Sequence, residues 1–153
     1  MRVITTYEDL LTRFREILRR NGLKQTQQRE NILHTIYSSD EHFTPEDLYA
    51  KVQQIYPDQK IGIATVYRTL SLLEGEKIVT SVSFGVNGKK YEFGMREHHD
   101  HMICDVCGKM IEFVDDTIEK RQSAIAKKHN FLITGHIMQI HGVCQSCQKD
   151  KES

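Results

Sequence analysis

Histidines, acidic residues and cysteines are concentrated in the segment EHHDHMICDVCGKMIE. Imidazole and carboxylate groups suit zinc, iron, manganese or nickel, whereas thiolates favour zinc or an iron–sulfur cluster. If residues 98–104 form a β-strand, neighbouring side chains point to opposite faces. His98 and Asp100 would then share one face. The other face would carry His99 and His101. The segment therefore predicts ligands for two separate metal sites, and a solvated polar strand is the alternative.

All four cysteines fall in two C-x-x-C pairs, Cys104/Cys107 and Cys144/Cys147, with 36 residues between the pairs. Two such pairs can supply the four thiolates of a tetrahedral zinc site, which leaves no open position for chemistry. The spacing predicts a structural zinc ion. Two disulfides or a redox dithiol are the alternatives, and neither pair has the βαβ context typical of a redox dithiol.

The composition is typical of a soluble globular protein, with 39% hydrophobic and 27% charged residues in a chain of 153. This length allows one domain or two small ones. Charged side chains interrupt residues 1–20, so we expect no signal peptide, no membrane partner and a cytoplasmic location. Reduced cysteine pairs in the cytosol more often hold metal than form disulfides. Residues 1–39 contain seven Lys and Arg against four Asp and Glu, a mild excess compatible with a nucleic-acid partner.

Helical periodicity and capping signals predict four helices in the first half of the chain. They run from Thr6 to Gly22, from Thr26 to about Ser39, from Thr44 to before Pro57, and from Ala64 to Glu74. In the second of these helices, the residues expected to be buried are Ile32, Leu33 and Ile36. The apolar positions of the third helix are Leu48, Val52 and Ile55. In the fourth helix, Val66, Leu70 and Leu73 are expected to face inward.

The outward side of the fourth helix has a composition that suits DNA. Ala64, Arg68 and Ser71 lie opposite the apolar stripe, with Thr65 and Tyr67 on its flanks. Small residues allow close approach, an arginine can bond to both acceptors of a guanine, and a tyrosine can contact a phosphate or a thymine methyl. The pattern suits a helix that enters the major groove, but taken by itself it favours the alternative of an ordinary surface helix with one arginine.

A β-hairpin is predicted directly after this helix. The residues Ile78, Thr80, Val82 and Phe84 alternate, Asn87-Gly88 is a turn signal, and residues 89–93 resume the alternation. Lys89 and Lys90 near the turn would contact phosphates. Helices followed by a basic hairpin predict a winged helix-turn-helix, here a DNA-binding domain of residues 1–93.

The remainder, residues 94–153, is predicted to be a small α+β unit that binds metal and dimerises. Beyond the cysteine pair we expect a strand at 110–114, a helix at 116–129 and a strand at 131–140. A unit of this size with few aromatic residues needs zinc, a partner subunit, or both, for stability. The predicted fold class is therefore α+β: a winged helix followed by a dimerisation domain with a four-cysteine zinc site.

Several motifs together resemble the ferric uptake regulator family over nearly the whole chain. They are GLKQTQQR at 22–29, ATVYRTL at 64–70, HHDHMICDVCG at 98–108, and the late C-x-x-C pair. The resemblance implies an N-terminal winged helix that binds palindromic DNA and a C-terminal domain that forms a homodimer. It also implies a corepressor metal that sets the angle between the two domains.

The resemblance carries over to individual residues. A regulatory site between the domains matches His42, Glu92, His99, His101 and Glu112. A second site, in the dimerisation domain, matches His98, Asp100, Glu119 and His136. The family's DNA contacts match Lys24, Tyr67 and Arg68, to which the helix pattern adds Ala64 and Thr65.

These matches imply a repressor that binds A·T-rich palindromic operators of iron-uptake genes when Fe(II) is bound. Structural Zn(II) would be the second cofactor, and Zn(II) or Mn(II) could replace Fe(II) in vitro. The same scaffold also serves sensors of peroxide, zinc, manganese or nickel. Glu112 favours iron, because the peroxide-sensing branch typically has Asp at that position. A zinc-stabilised interaction module without DNA binding is a further alternative. No hydrolase motif is present, so we expect neither an enzyme nor a small organic substrate.

Overall fold

The computed structural model describes residues 6–83, 88–95 and 97–151. These residues form two compact units, an N-terminal unit of 6–83 with 88–95 and a C-terminal unit of 97–151. The assignment of residues 1–93 and 94–153 to a DNA-binding and a dimerisation domain remains a prediction. Within the described part of the chain, no helix is both long enough and apolar enough to cross a membrane.

The N-terminal unit begins with four helices, and local capping fixes the starts of the first three. Thr6, Thr26 and Thr44 each accept a hydrogen bond from the backbone N–H three residues later, which satisfies a donor that the first helical turn leaves unpaired. The helix bounds are α1 Tyr7–Arg20, α2 Gln27–Tyr37, α3 Pro45–Ile55 and α4 Ile63–Gly75. The four predicted helices are confirmed.

One apolar cluster joins these helices. It includes the predicted stripe of α4, since Val66, Leu70 and Leu73 are all buried. Ile55, the last apolar position of α3, is an exception, because its side chain is 48% exposed. The helix ends at Ile55, and the next residue, Tyr56, packs against the core instead.

The hairpin pairs β1 Val79–Ser83 with β2 Lys89–Phe93 in antiparallel register. Its burial differs from the predicted alternation, because Val79 and Val82 are buried and Thr80 is exposed. Ile78 is also buried, but it precedes the strand and so does not follow the strand's two-residue period. The predicted positions Phe84 and Asn87 lie outside the described residues.

The C-terminal unit contains a three-stranded sheet in the order β4-β3-β5 and two helices. The bounds are β3 Asp100–Cys104, β4 Met110–Phe113, α5 Asp116–Lys128, β5 Gln139–Gly142 and α6 Gln145–Lys151. The central strand β3 pairs antiparallel with β4 and parallel with β5. The α+β class is therefore confirmed.

Two predictions for this unit need correction, and one helix was not predicted. The central strand starts at Asp100 rather than His98, so the first two histidines lie in the segment before it. Residues 131–138 are not a strand, although their apolar side chains predicted one, because a strand requires a hydrogen-bonded neighbour as well as propensity. Helix α6 was not foreseen, because its seven mostly polar residues have no apolar periodicity.

The core of the C-terminal unit is thin, as predicted. Helix α5 has no buried residue, and the buried hydrophobic side chains in the described part of this unit are Ile103, Cys104 and Cys147. Many apolar side chains are exposed instead: Ile111, Val114, Ile125, Phe131, Leu132, Ile133, Ile137 and Ile140. So little apolar burial leaves the unit dependent on additional stabilisation.

Candidate metal centres and DNA-binding face

The two cysteine pairs meet because β5 runs parallel to β3. In that register Gly142 lies beside Cys104, and the Asp105 N–H donates to the Gly142 carbonyl at 2.8 Å. The first pair closes in a tight turn at Gly108, whose φ of 72° suits glycine and whose N–H donates to the Cys104 carbonyl. The chain then leaves β5 through Cys144 and enters α6, which carries Cys147.

The four sulfur atoms lie within 4.8 Å of one another, and Cys107 Sγ is 3.7 Å from Cys144 Sγ. Sulfur atoms about 2.3 Å from a common tetrahedral centre are about 3.8 Å apart, so this spacing fits zinc. All four cysteines are free thiols, and none is joined in a disulfide. The geometry therefore favours the metal interpretation over two disulfides.

Charge within the cysteine cluster also fits a cation. The Cys144 N–H donates to Cys104 Sγ at 3.3 Å and, as the largest of several causes, lowers the pKa of the Cys104 thiol to about 6. The Cys147 N–H lowers the pKa of Cys144. In contrast, hydrogen bonding to the Cys144 side chain raises the pKa of Cys147 to about 12. The protein thus stabilises the thiolates of Cys104 and Cys144 but not that of Cys147. A cation is therefore needed for all four sulfurs to be ionised together.

A second group joins residues from three segments of the C-terminal unit. Asp100 opens β3, Glu119 lies on α5, and His136 lies in the connection before β5. His98 Nε2 is 3.1 Å from Glu119 Oε1 and 3.4 Å from Asp100 Oδ1. His136 Nε2 is 3.4 Å and 3.3 Å from the same two oxygens. All four ligand atoms lie within 4.8 Å of one another.

This group has the spacing and the burial of a metal site. Four ligands about 2.0–2.1 Å from a tetrahedral centre are roughly 3.3–3.4 Å apart, close to the distances observed. The Asp100 side chain is 1% exposed, and neither of its oxygens makes a hydrogen bond. Glu119 Oε1 and His136 Nε2 are likewise buried without one. Burying an uncompensated carboxylate is unfavourable, so the four residues fit a divalent cation.

We expect Asp100→Asn to reduce the stabilisation that added metal gives the C-terminal unit. The amide keeps the shape of the side chain but lacks its charge. A metal at 100 times its Kd stabilises the folded state by about 2.7 kcal/mol, and Asp100→Asn should lose up to this much of the metal-induced stabilisation. Thermal unfolding with and without metal measures it, with exposed Asp116→Asn as the control. Equal metal-induced shifts in both variants and the wild type would exclude Asp100 as a ligand.

In the N-terminal unit, His42 and Glu92 form the first of two candidate ligand sets. His42 Nε2 lies 2.9 Å from Glu92 Oε2, and both side chains are nearly buried. Phe43 and Tyr91 exchange backbone hydrogen bonds of 2.9 and 2.8 Å, which pins the segment before α3 against β2. This bridge positions His42 beside the strand residue Glu92.

In the C-terminal unit, His99, His101 and Glu112 form the second ligand set. His101 faces Glu112 across the β3–β4 pair, and the rings of His99 and His101 are 4.8 Å apart. His99 Nδ1 lies 2.9 Å from the Glu97 carbonyl, which can only accept, so Nδ1 carries the proton. His99 Nε2, 3.7 Å from Glu112 Oε1, then keeps the lone pair needed for a metal.

Gln122 was not among the predicted site residues. Its Oε1 is buried and makes no hydrogen bond. The less exposed residues of α5 form one helical face: Ile118, Glu119, Gln122 and Ala126. Gln122 lies three residues after the candidate ligand Glu119 on this face, and this spacing makes the two side chains neighbours on a helix. His141 contacts Asp105 Oδ1 through Nδ1 at 2.9 Å and so ties β5 to the cysteine turn.

The predicted DNA-contacting side of α4 is accessible. Ala64 and Arg68 are exposed, Thr65 is half-buried, and Tyr67 is 46% exposed. Arg68 Nε donates to the Ala64 carbonyl at 3.2 Å, which leaves the other guanidinium N–H groups for a partner. Lys24, before α2, is also exposed. The structure thus presents the five predicted DNA-binding residues on the N-terminal unit without testing their contact with DNA.

The hairpin lysine Lys89 has a protein partner. Its Nζ lies 2.8 and 2.9 Å from the two carboxylate oxygens of Glu74, near the end of α4, and Ser81 also donates to Glu74. The carboxylate raises the pKa of Lys89 through this hydrogen bond. Lys89 therefore ties the hairpin to α4, and the Glu74 carboxylate partly offsets its charge.

Comparison with known proteins identifies close relatives. The model of the ferric uptake regulator family matches residues 20–141. The ferric uptake regulation protein of Campylobacter jejuni is 57% identical over 145 residues, covering 95% of this chain and 92% of that protein. The protein of the same name from Escherichia coli K12 is 40% identical over 139 residues, covering 89% and 93%.

Solved structures of regulators are also similar to this chain in fold. The Helicobacter pylori ferric uptake regulator, described with three functional metal-binding sites, has a TM-score of 0.82 at 38% identity, covering 97% of each chain. The Campylobacter jejuni peroxide stress regulator has a TM-score of 0.67 at 26% identity, covering 86% of this chain and 97% of that one. The similarity covers both units.

Proposed function

The chain belongs to the ferric uptake regulator family and is a metal-responsive transcription regulator rather than an enzyme, and from this premise we propose that it is an Fe(II)-dependent repressor. We propose further that it acts in the cytoplasm as a homodimer on palindromic, A·T-rich operators of iron-uptake genes. The observation that most supports a metal switch is the presence of one incomplete ligand set in each unit.

The ligand set in the C-terminal unit favours iron. His99, His101 and Glu112 provide two imidazoles and one carboxylate, the combination typical of non-haem Fe(II) sites that keep positions open. His42 and Glu92 would occupy two of the open positions. The 57% identity with a ferric uptake regulation protein also supports iron.

The switch we propose uses these residues to select one arrangement of the two units. Glu92 and Glu112 would repel each other in the absence of a cation. Bound Fe(II) would supply two positive charges that offset both carboxylates. A preference of about 5.5 kcal/mol is enough to move a two-state population from 1:99 to 99:1. The five side chains would thereby couple metal concentration to the placement of the DNA-binding face.

The exposed apolar side chains of the C-terminal unit support a homodimer. Phe131, Leu132 and Ile137 are 70%, 83% and 85% exposed in the single chain. Apolar surface on this scale, on a unit with a thin core, is expected to be covered by a second copy. A two-fold dimer carries two DNA-binding faces, which is why we expect a palindromic operator.

The cysteine site is proposed to hold Zn(II) permanently, and the regulatory site to accept Zn(II) or Mn(II) in vitro. A peroxide sensor is the second candidate function, because the Campylobacter jejuni peroxide stress regulator shares the fold. Loss of DNA binding after hydrogen peroxide treatment of the Fe(II) form, with oxidation localised to His99 or His101, would favour that candidate. Unmodified histidines after the same treatment would exclude it.

Selection of binding sites from a random duplex library tests the DNA proposal and yields the operator sequence directly. With Fe(II) under anaerobic conditions, we expect enrichment of an A·T-rich palindrome. The metal-depleted protein, still holding its cysteine-bound zinc, should enrich nothing. Failure of the Fe(II) form to enrich any sequence would contradict a sequence-specific repressor and favour an interaction module.

Arg68→Ala is expected to reduce discrimination between the selected operator and scrambled DNA. Losing a bidentate bond to a base removes about 1–3 kcal/mol of discrimination. Lys24→Ala should instead weaken binding to both duplexes and reduce the salt dependence by roughly 0.9 for each phosphate that is no longer neutralised. Fluorescence anisotropy at several salt concentrations separates the two effects. Unchanged discrimination in Arg68→Ala would exclude base readout by this arginine.

A further inference from the structure

A carboxylate on a neighbouring helix already accepts a hydrogen bond from the tyrosine of the proposed DNA-binding face. The Tyr67 hydroxyl donates a hydrogen bond to Glu46 Oε1. Tyr67 lies on α4, whereas Glu46 is the second residue of α3, and both side chains are exposed. The contact is therefore made at the surface that we propose faces DNA.

The chemistry of this contact is incompatible with simultaneous donation to DNA. A tyrosine hydroxyl has one proton, and phosphate oxygens can only accept. Tyr67 thus cannot donate to Glu46 and to a phosphate at the same time. The hydrogen bond from Tyr67 is the main cause that lowers the pKa of Glu46, so this carboxyl group is ionised at neutral pH. Its negative charge adds to the conflict with the phosphate backbone.

We propose that Glu46 is an internal competitor of DNA, whose carboxylate holds the Tyr67 hydroxyl and is displaced when DNA binds. The inference rests on the proposed function, because it requires Tyr67 to contact DNA. Tyr67 contributes less binding free energy than a freely available tyrosine would. Glu46 lowers affinity for operator and for other DNA alike, since the contact involves no base.

Glu46→Gln tests the proposal, because glutamine keeps the size of the side chain and removes its charge. Glu8→Gln is a matched control: Glu8 is the second residue of α1, as Glu46 is of α3, so both substitutions remove an acid from a first helical turn. Thermal unfolding of the two variants should therefore be similar. DNA affinity is measured by fluorescence anisotropy on the selected operator and on a scrambled duplex.

With metal at saturation, we expect Glu46→Gln to bind both duplexes about fivefold more tightly, as for removal of one exposed charge interaction. Glu8→Gln should bind as the wild type does. In a Tyr67→Phe background, the gain from Glu46→Gln should fall below about twofold, because the hydroxyl whose charge-assisted hydrogen bond the substitution weakens is absent.

Two results would overturn the proposal. Unchanged or weaker binding by Glu46→Gln would show that the carboxylate does not compete with DNA. A full gain that persists in the Tyr67→Phe background would show that Glu46 acts on DNA without the tyrosine. Tyr67→Ala separates these failures from failure of the DNA contact itself. If Tyr67→Ala weakens binding while Glu46→Gln has no effect, only the competitor role is wrong, and if Tyr67→Ala has no effect, the tyrosine contact is wrong as well.

Discussion

Cys104→Ser is expected to release the zinc ion and to unfold most of the C-terminal unit. Structural zinc contributes on the order of 10 kcal/mol or more to small domains that bind it. This unit has few other sources of stability, because α5 has no buried residue and the described sheet has only three short strands. Dimerisation and DNA binding should be lost together with the fold.

Elemental analysis, light scattering and circular dichroism measure zinc content, oligomeric state and folding in the same preparation. Val106→Ser is a suitable control, since Val106 lies between the first two cysteines, is exposed, and is not a ligand. It should retain zinc and the dimer. If Cys104→Ser also kept its zinc and its dimer, the four-cysteine assignment would fail.

The second large effect is expected for His101→Ala, which removes a buried ligand of the proposed regulatory site. We expect the metal concentration for half-maximal operator binding to rise by about 100-fold or more, since loss even of a group that only supports a ligand costs 10–100-fold in affinity. His42→Ala, in the N-terminal unit, should raise the metal concentration for half-maximal operator binding in the same way. Zinc content and dimerisation should be unchanged in both variants.

Exposed histidines outside the ligand sets are the matched controls for this experiment. His34 lies in the N-terminal unit beside Tyr56, and His129 caps the end of α5. Their alanine variants should respond to metal as the wild type does. Asp100→Asn should alter thermal stability more than the metal dependence of operator binding. Equal effects of His101→Ala and Asp100→Asn on both measurements would contradict the assignment of neighbouring residues to two separate sites.

Local signals in the sequence were sufficient for the helices of the N-terminal unit. Threonine caps and apolar stripes act within one or two turns, so their outcome depends little on the rest of the fold. The clustering of the cysteines was also predictable, because two C-x-x-C pairs supply the four thiolates of one zinc site. Glu119 and His136, in contrast, came from the family resemblance, since nothing in their spacing places them beside the His-rich segment.

Features that depend on tertiary contacts were missed. The parallel pairing of β3 with β5 joins segments separated by more than 30 residues, and no short-range pattern encodes it. The apolar run at 131–138 predicted a strand from propensity, yet most of its apolar side chains are exposed and it has no assigned strand partner within the described chain. The contact between Tyr67 and Glu46 likewise joins two helices, and neither residue alone indicates it.

We propose that Fe(II) switches this chain between weak and tight operator binding. The most direct test is an anaerobic titration of the zinc-retaining, otherwise metal-free protein with buffered Fe(II), followed by anisotropy of a labelled operator. We predict tight binding only above a threshold of free Fe(II), with a steep loss when the ion is chelated. Mn(II) should act at higher free concentration. Operator affinity that is the same with and without Fe(II), while the cysteine-bound zinc stays in place, would contradict the account.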